Sequence, residues 1–209
     1  MNDTCFGVLL AGGLARRMGG GDKALRTIGG TSILGRIIAV TRPQCAGLLL
    51  NANGDVARLG GFGLPVAADN VAGFKGPLAG ILAGLDWIAL HHPGINFAIS
   101  IPTDTPFLPA NLVARLEEER ENKHAEIVCA RSGGMTHPVI ALWPVSIRTD
   151  LRHALVDEDL RKTGCFTQRY HVATVDWPIE PYDPFFNANE PADLVRAEAI
   201  LAQRAEVED

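Results

Sequence analysis

Residues 10–23 read LAGGLARRMGGGDK and directly follow a short apolar run at residues 6–10. The stretch combines five glycines with three cations. Glycine lacks a Cβ, so its backbone N–H groups can turn toward an anion, and arginine and lysine add positive charge. Residues 16–26 hold four cations and one acid, whereas the whole chain has a formal net charge of −5. This pattern predicts a phosphate-binding loop at the end of a first β-strand.

Two familiar phosphate loops do not fit this stretch. A Walker A loop needs Gly-Lys-Ser/Thr at the start of a helix, and the chain contains no Gly-Lys pair. Gly19, Gly21 and Ala24 match the loose dinucleotide pattern G-x-G-x-x-A, but they lie nine or more residues after the apolar run. In a dinucleotide fold the first glycine follows the strand at once, so we attribute this match to chance. An ordinary glycine-rich surface turn is the other alternative.

The rest of the chain alternates short apolar runs with longer helix-like segments. The segments lie at residues 6–10, 33–40, 47–50, 78–90, 97–101 and 112–120. Such alternation is typical of parallel strands joined by crossover helices. Two later runs, at residues 126–130 and 139–143, flank Gly133 and Gly134 and predict an antiparallel hairpin or an edge extension of the sheet. A final helix is expected to end at Gln203.

Length and composition limit the class of protein. The 209 residues fit one α/β domain, expected over residues 1–209, with a disordered acidic tail from about residue 205. No apolar run approaches the roughly 20 residues that span a bilayer, and no export signal is recognised. The acidic balance argues against nucleic-acid binding, and the four cysteines lack metal-type spacing. The sequence predicts a cytoplasmic protein with reduced thiols that binds neither membranes nor nucleic acids.

Polar residues follow the predicted strands where those strands end. They are Asn51, Asn53, Asp69 and Asp104. Ligands of open α/β sheets bind beyond the carboxyl ends of the strands. We therefore expect these side chains and the glycine loop to converge on one cleft.

Asp104 is the candidate metal ligand. It lies in Ile-Pro-Thr-Asp-Thr-Pro at residues 101–106, where two prolines stiffen the turn. A rigid carboxylate at a strand end suits Mg²⁺ that bridges phosphate oxygens. An Asx-turn, or an N-cap for the helix after Pro109, explains the same residue without a metal. From spacing alone, both interpretations stay open.

The loop Leu-Ala-Gly-Gly-x-x-x-Arg-Met-Gly-x-x-Asp-Lys resembles the signature of nucleotidyltransferases that join a nucleotide to a phosphorylated small molecule and release pyrophosphate. Within that superfamily the chain looks most like the molybdenum cofactor guanylyltransferases, because Gly-Pro-Leu-Ala-Gly at residues 76–80 accompanies the guanylyl branch. The resemblance spans residue 6 to about residue 201. It implies a three-layer α/β/α, Rossmann-like nucleotidyltransferase fold with a mostly parallel sheet.

The resemblance also implies roles for individual residues. Lys23, Arg17 and Asp104 would form the catalytic set, with the two cations on the triphosphate, Asp104 on Mg²⁺ or alternatively Mn²⁺, and Arg16 exposed. The residues expected to contact the guanine nucleotide are Leu10, Ala11, Gly12, Gly13, Lys23, Asn51, Asp69 and Asp104. A carboxylate can accept N1–H and N2–H₂ of guanine as a pair, and an amide or backbone N–H can donate to O6, which suits Asp69 and Asn51.

Three further residues lie in segments that resemble family motifs, and each can be interpreted in two ways. His137, Asn187 and Asn189 would shape the side of the cleft that takes the second substrate. Alternatively, His137 is a structural residue of a turn, and the two asparagines order a loop and cap the last helix. Lys75 matches no motif and has no implied role.

The implied reaction transfers GMP from GTP to the phosphate of molybdopterin, or of its molybdenum-loaded form, and releases pyrophosphate. A phosphate monoester is mostly ionised at neutral pH, so no general base is needed. Molybdoenzymes or their chaperones are the expected recipients of the product. Two alternatives remain: a cytidylyltransferase or sugar-phosphate nucleotidyltransferase of the same fold, and a non-catalytic adaptor that binds a nucleotide or the cofactor.

Overall fold

The computed structural model describes residues 5–12, 23–73 and 76–208, with side chains described as far as Gln203. The strands are β1 (Cys5–Leu10), β2 (Thr27–Ile28), β3 (Thr31–Ser32), β4 (Gly47–Asn51), β5 (Val66–Ala67), β6 (Phe97–Pro102), β7 (Ile127–Ser132), β8 (Met135–Pro144) and β9 (Val172–Trp177). The helices are α1 (Ile33–Thr41), α2 (Pro77–His91), α3 (Leu112–Lys123), α4 (Arg148–Val156), α5 (Thr163–Thr167) and α6 (Pro191–Glu208). Gly13, Arg16, Arg17 and Lys75 lie outside the described residues.

The central sheet has seven strands in the order β5-β4-β1-β6-β8-β7-β9. β1 pairs in parallel with β4 and β6, β4 with β5, and β7 with β9. β8 runs antiparallel to both of its neighbours, β6 and β7. The expected α/β class with a mostly parallel sheet is confirmed, as is the antiparallel hairpin. This hairpin does not end the sheet, because β9 pairs with the far side of β7.

The two faces of the sheet bury separate cores. Cys5 and Leu9 of β1 belong to the core under α1, α3 and α6, whereas Phe6 and Val8 belong to the core under α2, α4 and α5. Side chains alternate between the faces of a strand, so a strand covered on both sides reads as a continuous apolar run. The continuous run at residues 6–10 therefore reflects the central position of β1 in a three-layer α/β/α fold.

The start of α2 explains the Gly-Pro-Leu-Ala-Gly motif. Gly76 has φ of 73° and ψ of −159°, a conformation that favours glycine, and Pro77 fills the first helical position, where no N–H donor is needed. A Cβ added to Gly80 would lie 2.2 Å from Oδ1 of Asn51. Since glycine carries no Cβ, the first turn of α2 can pack directly against the end of β4.

Several elements were not predicted from the sequence. They are β2, β3, β9, α4 and α5. β9 did carry a sequence signal, because apolar Ala173, Val175 and Trp177 alternate with polar Thr174 and Asp176. α6 begins at Pro191 and continues beyond the predicted end at Gln203. None of the helices in the described part of the chain has the length and apolar character needed to cross a membrane. All four cysteines are free thiols, and Cys165 alone is exposed among them.

Candidate active site

A cavity of about 310 Å³ lies beyond the carboxyl ends of β1, β4, β5 and β6. It is lined by Leu10, Gly12, Lys23, Asn51, Asn53, Asp69, Gly76, Pro77, Pro102, Thr103, Asp104 and Val139. The structure thus brings together seven residues that the sequence placed in one cleft: Leu10, Gly12, Lys23, Asn51, Asn53, Asp69 and Asp104. The expected convergence of strand ends on one cleft follows from the parallel register of these strands.

Backbone hydrogen bonds continue past the strand ends and hold the cavity walls together. The N–H of Ala11 donates to the carbonyl of Asn51 at 2.8 Å, and the N–H of Thr103 donates to the carbonyl of Leu10 at 3.4 Å. Ala11 is only 3% exposed. Because its side chain is buried and its N–H is already bonded, Ala11 does not line the cavity, unlike its neighbours Leu10 and Gly12.

Asn51, Asn53 and Asp69 form one hydrogen-bonded group, which we call the amide–carboxylate cluster. Nδ2 of Asn51 donates to Oδ1 of Asp69 at 2.9 Å and to the carbonyl of Ala67 at 3.2 Å. Nδ2 of Asn53 donates to Oδ2 of Asp69 at 2.8 Å, and Oδ1 of Asn53 accepts from the N–H of Asp69 at 2.9 Å. Both carboxylate oxygens of Asp69 are therefore held by amide donors.

These partners fix the orientation of both amides. A carbonyl and an ionised carboxylate only accept hydrogen bonds, so Nδ2 of Asn51 must face Ala67 and Asp69. Both amide protons of Asn51 are then engaged, and its Oδ1 remains as an acceptor. Each oxygen of Asp69 retains capacity for a second hydrogen bond. The Asn51 amide therefore has no proton left for O6 of guanine. A donor to O6 would have to be a backbone N–H or the second Nδ2 proton of Asn53.

Lys23 and Asp104 bring opposite charges into the same cavity. Nζ of Lys23 donates to Oδ1 of Asn189 at 2.7 Å. Oδ1 of Asp104 is buried and has no hydrogen-bond partner within the described part of the chain. Burial raises the pKa of the Asp104 carboxyl, and the nearby Lys23 ammonium opposes that shift. A buried acceptor without a donor is costly, so this oxygen suits a bound cation.

The structure excludes one of the interpretations of Asp104 without a metal, the N-cap of the helix after Pro109. α3 begins at Leu112, and its N-cap position is Asn111. Asp104 lies well before that position in the chain. Since an N-cap residue directly precedes the first helical turn, Asp104 does not cap α3.

A divalent cation fits the donor set. Across residues 5–12, 23–73 and 76–208, no group of three or more His, Cys, Asp or Glu side chains could hold a metal ion by itself. Mg²⁺ is commonly bound through one or two carboxylates, with phosphate oxygens and water completing its shell. The single carboxylate of Asp104 would fit that arrangement as a protein ligand.

The segment with Asn187 and Asn189 joins the cavity to the start of α6. Oγ1 of Thr105 donates to Oδ1 of Asn187 at 3.0 Å, and the N–H of Ala188 donates to the carbonyl of Asp104 at 2.8 Å. The N–H of Asn189 donates to Oδ2 of Asp193 at 2.8 Å. Asp193 therefore caps the start of α6, and the Asn189 side chain is left to accept from Lys23.

His137 lies in the β7–β8 hairpin and does not line the cavity. Its Nε2 is 2.7 Å from Oγ of Ser132, and its ring centroid is 5.1 Å from that of Phe185. Burial lowers the pKa of His137, while Asp183 opposes the shift. These contacts fit the structural reading of His137.

Sequence reasoning missed several lining residues. Asn53 was recognised at a strand end but received no role, although it makes two of the three hydrogen bonds that join Asp69 to the asparagine side chains. Val139 reaches the cavity from β8, which runs in the opposite direction, so the rule of carboxyl strand ends does not find it. The spacing of Asn51 and Asn53, two residues apart, was the signal for Asn53, because such residues share one side of an extended chain.

Comparisons with known proteins agree with this geometry. The family model described as the MobA-like NTP transferase domain matches residues 7–171. A molybdenum cofactor guanylyltransferase of Rhodopseudomonas palustris (strain BisB5) is 59% identical over 193 residues, which is 92% of each chain. The crystal structure of molybdopterin-guanine dinucleotide biosynthesis protein A from Archaeoglobus fulgidus aligns with a TM-score of 0.71 at 22% identity, over 95% of this chain and 99% of that one.

A third comparison involves a metal. The crystal structure of a Mycobacterium tuberculosis protein in complex with manganese aligns with a TM-score of 0.63 at 18% identity, over 94% of this chain and 98% of that one. At such low identity the likeness shows a shared fold, and the manganese is a property of that protein.

The fold and the matches together define a nucleotidyltransferase, as the sequence predicted. More narrowly, the chain belongs to the MobA-like NTP transferase family. The predicted resemblance to the molybdenum cofactor guanylyltransferases is confirmed by relatives of that name that cover almost the whole chain.

Proposed function

We propose that the chain transfers GMP from GTP to the terminal phosphate of molybdopterin, or of its molybdenum-loaded form, and releases pyrophosphate. The proposal is carried by the cavity that joins the amide–carboxylate cluster to Lys23 and to Oδ1 of Asp104, a buried oxygen with no hydrogen-bond partner among the described residues. Relatives named molybdenum cofactor guanylyltransferase, up to 59% identical, support the choice of nucleotide and acceptor.

The base binds at the amide–carboxylate cluster. The free acceptor capacity of Asp69 matches the paired N1–H and N2–H₂ donors of guanine. Cytosine and adenine lack this pair of adjacent donors, so they would leave the carboxylate poorly satisfied. Gly12 lies beside the cluster, because a Cβ at that position would be 3.8 Å from Oδ1 of Asn51. The missing side chain leaves room for the base to approach the backbone.

The phosphates bind at Lys23 and Asp104. Lys23 exchanges Oδ1 of Asn189 for a phosphate oxygen, and Asp104 holds Mg²⁺, or Mn²⁺ as an alternative. When bound, the cation withdraws charge from the phosphate oxygens and stabilises the leaving pyrophosphate. Arg17, which is outside the described residues, is a second phosphate ligand by resemblance to the family loop.

The chain's own contribution to the reaction is alignment and charge. The acceptor is a phosphate monoester whose second pKa is about 6, so it is already mostly ionised at neutral pH. No residue has to remove a proton from it. Lys23 offsets the repulsion between the acceptor phosphate and the triphosphate, which is the main barrier to bringing two anions together.

Pyrophosphate release tests the proposal. Each of the four NTPs is incubated with Mg²⁺, with and without molybdopterin. We expect release from GTP that depends on molybdopterin, and a parallel series with Mn²⁺ tests the alternative metal. Equal turnover of CTP and GTP would contradict the guanine assignment. GTP binding without pyrophosphate release would favour the adaptor. Delivery to molybdoenzymes or their chaperones and a cytoplasmic location remain predictions.

A further inference from the structure

Asn53 makes two hydrogen bonds to Asp69, and the function described above assigns it no contact with the nucleotide. We propose that Asn53 is a positioning residue for base recognition, which holds the Asp69 carboxylate in the plane that accepts N1–H and N2–H₂ of guanine. The inference rests on the proposed function, since it requires that Asp69 reads the base.

The geometry of the pair restricts Asp69 at two points. The Asn53 amide donates to Oδ2 of Asp69 at 2.8 Å and accepts from the N–H of Asp69 at 2.9 Å. The first bond fixes a side-chain oxygen and the second fixes the backbone of the same residue. Rotation of the carboxylate would break the first bond and also the 2.9 Å bond from Asn51 to Oδ1. The carboxylate plane is therefore set by the two amides.

The backbone around Asp69 does not supply this restraint by itself. β5 is a two-residue strand at the edge of the sheet, and it ends at Ala67, before Asp69. The neighbours Ala68 and Asn70 are exposed. A short edge strand with exposed neighbours gives little packing to orient a side chain. The orientation of Asp69 thus depends on hydrogen bonds from β4 and the turn that follows it.

Asn53 itself is held from the other side. Its carbonyl accepts from Nη2 of Arg58 at 3.4 Å, and Nη1 of the same arginine bonds the carbonyl of Asp55. Gly54 follows Asn53 with φ of 76°, which allows the chain to turn sharply there. The two hydrogen bonds from Arg58 therefore hold the turn after β4 in the conformation that places the Asn53 amide next to Asp69.

The choice between GTP and ITP measures this role. Hypoxanthine, the base of ITP, lacks the N2 amino group of guanine but keeps N1–H. ITP therefore loses only the hydrogen bond from N2 to the Asp69 carboxylate. A carboxylate held in the plane of the base accepts hydrogen bonds from both N1–H and N2–H₂. A carboxylate that rotates accepts from only one donor of either base, so it distinguishes guanine from hypoxanthine less well. Loss of positioning should therefore lower discrimination between GTP and ITP rather than reduce all activity uniformly.

The experiment compares kcat/KM for GTP and for ITP in pyrophosphate release. In Asn53→Ala we expect the GTP/ITP ratio to fall about tenfold, with a larger change in KM than in kcat. Asn53→Asp keeps the shape but places a second carboxylate against Asp69, so the ratio should fall at least as far. The matched control is Asn70→Ala, because exposed Asn70 also bonds a carboxylate, Asp86, at 2.7 Å, away from the cavity. The control should keep the wild-type ratio.

Asp69→Ala provides the reference that separates the two proposals. If Asp69→Ala lowers the GTP/ITP ratio but both Asn53 variants keep it, the positioning role is wrong while the base assignment stands. If Asp69→Ala also keeps the ratio, base reading by Asp69 and the role of Asn53 are both wrong. A lower melting temperature in the Asn53 variants with an unchanged ratio would show that Asn53 only stabilises the turn. A lowered ratio in folded Asn53→Ala or Asn53→Asp supports the inference.

Discussion

Gly80→Ala tests whether the close packing of α2 maintains the active site. The added Cβ would lie 2.2 Å from Oδ1 and 2.9 Å from Cγ of Asn51, and 3.0 Å from Cδ2 of Leu10. Asn51 is only 3% exposed, so it cannot swing into solvent. To restore an ordinary contact its amide must retreat by about 1 Å, which breaks its bond to Asp69.

The size of the effect follows from three contributions. Overpacking a closely packed site costs about 1–3 kcal/mol. Loss of a hydrogen bond to a charged group costs a further 1.5–3 kcal/mol or so. Alanine in place of glycine inside a helix raises the free energy of unfolding by about 1 kcal/mol, which offsets part of this loss. The net loss of stability is then about 3 kcal/mol, and the melting temperature should fall by roughly 6–12 °C.

The assay pairs thermal unfolding with GTP kinetics, and Gly84→Ala is the control from the next turn of the same helix. A Cβ at Gly84 would lie 2.5 Å from Cγ1 of Val8, in the core and away from the cavity. Both variants should be destabilised, but Gly80→Ala alone should lower kcat/KM for GTP, by about tenfold. Equal GTP kinetics in the two variants, or wild-type stability of Gly80→Ala, would refute the reasoning.

Three further substitutions address the site directly. Asp104→Asn keeps the shape but replaces an anionic ligand with a neutral amide, so activity should fall by about 10²-fold or more across a Mg²⁺ titration. Lys23→Ala should lower kcat/KM by about 10²-fold, because it removes charge that meets the phosphates. Asp69→Ala should reduce the preference for GTP over CTP by about 10–100-fold, with less effect on triphosphate binding.

Each of these changes has a control and an outcome that contradicts it. Near-wild-type turnover of Asp104→Asn at every Mg²⁺ concentration would remove the metal role. For Lys23→Ala the matched variant is Lys123→Ala, at the exposed end of α3, and equal activity of the two would exclude a phosphate contact. Circular dichroism should show each variant folded. An unchanged nucleotide preference in Asp69→Ala would exclude base reading by that carboxylate.

The sequence by itself determined the fold class and much of the site. The apolar run of β1 and the alternation of strands with helices define a mostly parallel sheet. In such a sheet the carboxyl strand ends meet at one edge, so Asn51, Asp69 and Asp104 had to come together. These conclusions depend on local periodicity and on one topological rule, both of which are readable along the chain.

Only the tertiary structure decided how the residues of the site are paired. The Asn53 amide and the Asp69 carboxylate come from different segments, and Lys23 bonds Asn189 across a sequence separation of 166 residues. The tertiary structure also showed that both protons of the Asn51 amide are hydrogen-bonded and that β8 lies inside the sheet rather than at its edge. Local patterns specify which segments become strands and helices. Hydrogen-bond partners depend on which segments pack together in space, and distances of a few tenths of an ångström decide them.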